Sequence, residues 1–161
     1  MAHMDMDTPE LQTAKGPLSD EVRQFSVFVE NKVGRLLDIV KMFTQAQIHV
    51  VALSILDTAD AAIVRLVTDD PDKARMLFQE HGLAFTEVSL VVVELSSSAT
   101  DLQAVLIALL QAECNIHSAY SLLTRPRGKA ALALHVEDSD VASSVLQANQ
   151  FKLLSQRDIS R

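Results

Sequence analysis

The sequence has no tryptophan, one cysteine, one tyrosine, four glycines and four prolines among 161 residues. The lone Cys114 excludes an intrachain disulfide framework and a cysteine-rich zinc site. It fits a reducing compartment. So few glycines and prolines exclude collagen-like and low-complexity arrays. Basic residues are also scarce, with 14 Lys plus Arg against 21 Asp plus Glu and a formal charge of −7. An acidic, aromatic-poor chain is a poor general nucleic-acid binder, because it lacks attraction for phosphate. No apolar run approaches the ~20 residues that span a bilayer. The opening MAHMDMDTPE lacks the apolar stretch of a secretory signal. A cytoplasmic location is therefore expected. Residues 1–21 read as a loose polar tail, of which Met1 to His3 resemble an expression remnant.

The remainder is rich in apolar residues, which form 48% of the chain. That supports one ordinary domain or two very small ones. A repeat emerges at a shift of 66. Val27 then falls on Val93, Leu36 on Leu102, Phe43 on Leu109 and Gln45-Ala46 on Gln111-Ala112. Further along the shift is 68, so that Asp70 meets Asp138, Ala74 meets Ala142 and Gln79 meets Gln147. The two extra residues fall near Thr124 to Gly128, a hairpin tip, where length changes are tolerated.

Each copy alternates between two periods. Phe25 to Val29 is a strand-like run, and Leu36, Ile39, Val40 and Phe43 mark one helical face between Arg35 and Ala46. Ile48 to Leu56 and Ala61 to Thr68 read as a hairpin joined by Asp57-Thr58-Ala59-Asp60. Asp70-Pro71 opens a helix as N-cap and first-turn proline, and Gly82 closes it. Its apolar face carries Ala74, Leu77, Phe78 and His81. Leu83 to Val88 begins a strand that can continue into Ser89 to Leu95. Copy two predicts a helix over 99–113, strands over 115–124 and 129–137, a helix over 138–149 and a strand over 151–155. The reading is α+β: two ferredoxin-like βαββαβ repeats, 22–88 and 89–161, each with helices on one face of an antiparallel sheet. The other face needs cover, and a repeat of ~65 residues has a thin core. Both facts favour packing of the copies together, and a homodimer.

The fold alone fixes no function. RNA-reading sheets need aromatics on the central strands, where this chain has Val50, Leu53, Ile55, Val64 and Leu66. Asn31-Lys32-Val33-Gly34 has too few glycines for a phosphate cradle. His49, His81, His117 and His135 fall on different elements, without the spacing of a helical zinc motif. No catalytic constellation, metal site or cofactor is expected. Cys114 reads as a small buried hydrophobe.

The stretch Val27-Phe-Val-Glu-Asn31-Lys-Val-Gly34-Arg-Leu36, with Gln45-Ala-Gln-Ile-His-Val-Val-Ala-Leu-Ser54 after it, resembles the ACT domain family of small amino-acid-binding regulatory modules. The family pattern after the first strand is Asp/Asn-x-Pro-Gly-x-Leu. Asn31, Gly34 and Leu36 match it, and Val33 stands in the proline's place. A second family segment, Ala-Gly-Ile-Asn-Ile, is matched by Ala46, Ile48 and Val50, with Gln47 and His49 at the glycine and asparagine places. Asp57-Thr58 through Asp60, then Ile63-Val-Arg-Leu66-Val, also resembles the freestanding tandem ACT proteins, which have no catalytic domain. Copy two keeps Asn115-Ile116 but has Thr100 where the glycine belongs.

The resemblance implies a non-enzymatic amino-acid sensor. Its small-molecule ligand would sit at the bend between the first strand and first helix, at a seam between repeats or subunits, and a regulated enzyme or regulator would read the outcome. The implied contacts are Asn31, Lys32, Val33, Gly34, Arg35, Leu36, His49, Asp57 and Thr58. A carboxylate suits the amides and dipole of a helix start. Asn31 can accept from an ammonium and donate to a carboxylate. Lys32 and Arg35 add positive potential. Each residue also has a plain structural reading: Asn31 as a cap, Gly34 and Asp57 to Asp60 as turn formers, His49 as a strand end. The alternative function is a structural or oligomerisation module whose ligand loops are relics.

Overall fold

The structure, a computed structural model, describes residues 20–30, 34–97 and 99–160. The element order is β1 (Val22–Glu30), α1 (Arg35–Gln45), β2 (Val50–Asp57), β3 (Ala61–Thr68), α2 (Pro71–Glu80), β4 (Ala84–Leu95), α3 (Ala99–Gln111), β5 (Ile116–Ser121), β6 (Ala130–Val136), α4 (Ser139–Ala148), β7 (Leu153–Leu154) and α5 (Gln156–Ile159). A 3-10 turn, Pro126–Gly128, forms the β5–β6 tip. The α+β arrangement of two βαββαβ units is present, with every strand pair among the described residues antiparallel.

β4 joins the two units without a break. Its residues 84–90 pair with β1, and residues 91–95 pair with β6 and briefly with β7. The strand order is β2-β3-β1-β4-β6-β5. The period-2 alternation then sorts the faces. Phe25 and Val27 lie under α1 and α2, with Phe43, Leu66 and Phe78. Val91 and Val93 lie under α3 and α4, with Leu109, Leu134 and Leu146. The opposite faces, carrying Val22, Val67, Leu90, Val92, Ala131 and Ala133, pack on one another in a third core. The face that an isolated unit would expose is thus covered by its sister. The sheet curls far enough that Leu123 N–H donates to Val51 O at 2.7 Å, bringing the β5 end to β2. Tyr120 also donates to the buried Gln24 Oε1 at 2.7 Å across this seam.

The helix ends show the duplication at atomic level. Gln47, Gly82, Glu113 and Gln150 each have positive φ just past α1, α2, α3 and α4. The next residue then donates its N–H back into the helix: Ile48 to Phe43, Leu83 to Phe78, Cys114 to Leu109 and Phe151 to Leu146. This is the Schellman closure with its apolar anchor. At the N-termini, Asp70 accepts from Lys73 N–H, and Asp138 accepts from Asp140 and Val141 N–H.

Some expectations shift. Val40 is 36% exposed, because α1 buries the Ile39–Phe43 line and turns Val40 outward. His81 is likewise exposed at the end of α2. Asp20 does not belong to a loose tail: its backbone O accepts from Gln156 N–H, and its carboxylate accepts from Arg157 N–H. These bonds come from α5, which the hydrophobic pattern did not reveal. Its start is a capping box between Ser155 and Asp158. Residues 1–19 lie outside the described residues.

Candidate functional site

Gly34 opens α1 at φ 95° and ψ −14°, a left-handed conformation. A Cβ there would meet nothing within 4 Å, so conformation rather than space demands glycine. A glycine has no side chain to offer the first-turn amides, which by helix geometry lack partners within the helix. Those amides carry the positive end of the helix dipole. Arg35 is exposed beside them. Leu36 turns inward and packs on the core under α1. Asn31, Lys32 and Val33, expected ligand contacts, lie outside the described residues.

Register fixes the position of the other expected contacts. Glu30 at the end of β1 pairs with Ala61 at the start of β3, and Asp57 pairs with Ala62. The β2–β3 tip therefore sits at the same end of the sheet as the β1–α1 turn. Thr58 is occupied by its own turn: its hydroxyl donates to Ala61 O at 2.7 Å and accepts from Ala61 N–H at 3.2 Å. His49 is elsewhere. It precedes β2, past the far end of α1, and an 11-residue helix spans ~16 Å. There Asp69 accepts from the His49 backbone N–H at 2.8 Å and contacts its Nδ1 at 2.7 Å. The structure brings Gly34, Arg35, Asp57 and Thr58 to one end of the unit and leaves His49 at the other. In the asparagine place of the sequence pattern, His49 ties the β2 entry to the β3 exit.

A cleft of about 550 Å³ lies between α1 and α2. Its apolar wall includes Val29, Ile39, Met42, Leu77 and Leu83. Arg35, Asp38 and Lys41 border it from α1, and His81 from the cap just past α2. None of Arg35, Asp38 and Lys41 has an ion-pair partner among the described residues. Sequence reading missed this cleft. Its signal was the mixed charge on Arg35, Asp38 and Lys41 beside an apolar stripe.

Other polar clusters are structural in geometry. Glu87 accepts from Arg75 Nε at 2.8 Å and Nη2 at 2.6 Å, and from Arg23 Nε at 3.0 Å. The Arg75 bonds chiefly hold its carboxyl below the usual carboxylate range, with Arg23 assisting against the cost of burial. Lys129 pairs at 3.0 Å with Glu94, whose side chain is 5% exposed. A bulge between Ile116 and Ser118 brings His117 against His135, ring centroids 4.9 Å apart. The linear sequence did not show this pairing. Burial first, then His117 and Arg65, hold the His135 imidazole below its usual pKa. Among the described residues, no cluster of three or more His, Cys, Asp or Glu could hold a metal ion, and no helix is long and apolar enough to cross a membrane.

The family model described as an ACT domain pair matches residues 20–161. Among solved structures, protein BT0572 from Bacteroides thetaiotaomicron is similar at 26% identity and a TM-score of 0.80, over 89% of this chain and 98% of that one. The ligand-free regulatory subunit of aspartate kinase from Thermus thermophilus is similar at 12% identity and a TM-score of 0.58, over 81% and 91%. The corresponding subunit from Thermus flavus is similar at 13% identity and a TM-score of 0.57, over 82% and 92%. No curated protein matches the chain.

Proposed function

This chain belongs to the ACT domain pair family, and from that premise we propose that it is a non-catalytic, amino-acid-binding regulatory protein of the cytoplasm. The ligand's carboxylate meets the start of α1, with Asn31, Lys32, Val33, Gly34 and Arg35 around it. Asp57 and Thr58 stand at the same end, Leu36 anchors the helix from below, and His49 has no part in the contact. The carrying observation is the left-handed Gly34 at the mouth of α1, which itself makes no side-chain hydrogen bond to the first-turn amides. A regulatory setting is supported by fold likeness to kinase regulatory subunits. The partner is an enzyme or regulator that reads a ligand-dependent change in packing. Such a change needs two states of different ligand affinity.

Thermal melts against the twenty amino acids test this. At about a hundred times its Kd, a ligand adds ~2.7 kcal/mol, worth ~5–10 °C for a chain of this length. No shift at millimolar concentration with any of them refutes the reading.

One observation favours a second reading, a pairing module. Leu102, Leu106, Ile107 and Leu110 on α3 are 38%, 43%, 45% and 76% exposed. Such a helix face suits a twofold contact between two copies. Sedimentation equilibrium of wild type and Leu110→Glu decides it, with a dimer expected for the first and a monomer for the second.

A further inference from the structure

The two copies differ between their helices. In copy two, α3 and α4 contact one another more extensively than α1 and α2 do. The repeat register explains why. Met42 corresponds to Ala108, a smaller residue that lets the helices approach, and Leu83 corresponds to Phe151, which packs into the core beneath them. In copy one the same region remains a cleft of about 550 Å³. The rim differs as well. Arg35, Asp38 and Lys41 correspond to Asp101, Ala104 and Ile107. Copy one therefore presents both signs of charge around an apolar wall, and copy two does not.

We propose that the cleft between α1 and α2 receives the side chain of an α-amino acid with a medium-sized apolar side chain, such as leucine or methionine. This rests on the amino-acid-binding reading above and names the ligand class. Arg35 and Lys41 supply the cationic partners for a carboxylate, and Asp38 supplies the anionic partner for an ammonium. Ile39, Met42, Leu77 and Leu83 remove the side chain from water. Small-molecule sites combine an apolar lining with a few polar groups in the same way. Aspartate or lysine would place an unpaired charge against that wall, which disfavours them. Copy two, filled by its own side chains, is silent.

Isothermal titration of the full chain with leucine and with alanine tests the proposal, using wild type, Leu83→Phe and Leu77→Trp. The first variant copies the residue that copy two carries. The second fills the cleft from α2, and circular dichroism shows whether each is folded. Leucine is expected to bind wild type about tenfold or more tighter than alanine. In a folded filling variant, leucine affinity falls about tenfold while alanine affinity holds. Equal binding of the two in wild type, or unchanged leucine affinity in folded filling variants, overturns the cleft assignment and leaves amino-acid binding standing. Absence of binding by any amino acid overturns both.

Discussion

Replacing Gly34 by alanine isolates a single physical quantity. The residue sits at φ 95°, and an added Cβ would touch nothing within 4 Å. No clash contributes, so the cost is the left-handed backbone alone, roughly 1–2 kcal/mol for a residue with a Cβ. Alanine also narrows the unfolded ensemble, which returns about 0.4–1 kcal/mol. The expected net loss is about 1 kcal/mol, or ~2–4 °C in melting temperature. Urea unfolding followed by circular dichroism measures it, with the midpoint lowered and the slope unchanged. Gly34→Asn should lose less, because asparagine tolerates this region and can cap the helix. Gly82→Ala, at φ 63° and equally free of neighbours, serves as the reference position. An alanine variant as stable as the wild type would refute a left-handed opening of α1, and with it the amide geometry on which binding depends.

Three further outcomes follow from packing and charge. Phe78 is fully buried and packs edge-on against Phe25 and tilted against Phe43 and Phe85, with ring centroids 5.4 Å apart in each pair, so Phe78→Ala should cost about 3–5 kcal/mol in urea unfolding. Tyr120→Phe leaves Gln24 Oε1 without its donor inside the seam between the units, costing about 1–3 kcal/mol. Glu87→Gln should destabilise at neutral pH by about 1.5–3 kcal/mol, as charged hydrogen bonds to Arg75 and Arg23 are weakened. Because the folded Glu87 pKa is depressed, its stabilisation is present above the unfolded value of about 4.3 and fades as pH falls through the folded value. The gap between wild type and variant should therefore close on acidification, and a pH-independent gap would contradict the network.

Much of the architecture was legible because local signals agreed with the global pattern. The β3 span, 61–68, follows directly from an apolar run bounded by Asp60 and Asp69. The Asp70-Pro71 and Asp138 starts are local chemistry, readable without any tertiary contact. Gly34 was legible as a conformational demand, since positive φ strongly favours its residue type. Gln47 was not, although it stands in the pattern's glycine place and takes φ 58°; the Schellman closure and the buried Ile48 hold it there. His49 lies at the other end of the unit from Gly34, because adjacency in a sequence pattern says nothing about which end of a strand a residue reaches. Its bond to Asp69 is a contact across the β2–β3 pair, set by register. The His117–His135 contact depends on a bulge, and α5 on a four-residue cap, too short for periodicity to register. The cleft between α1 and α2 depends on how closely two helices approach, which Met42 against Ala108 decides only once both are packed.

Amide chemical shifts of 15N-labelled protein, titrated with the amino acid giving the largest melting shift, test the central claim most directly. Binding at the mouth of α1 predicts saturable movement of the Gly34, Arg35 and Leu36 amides, while those of Thr100, Asp101 and Leu102 stay still. Saturable movement confined to other residues, or none at all, would contradict it.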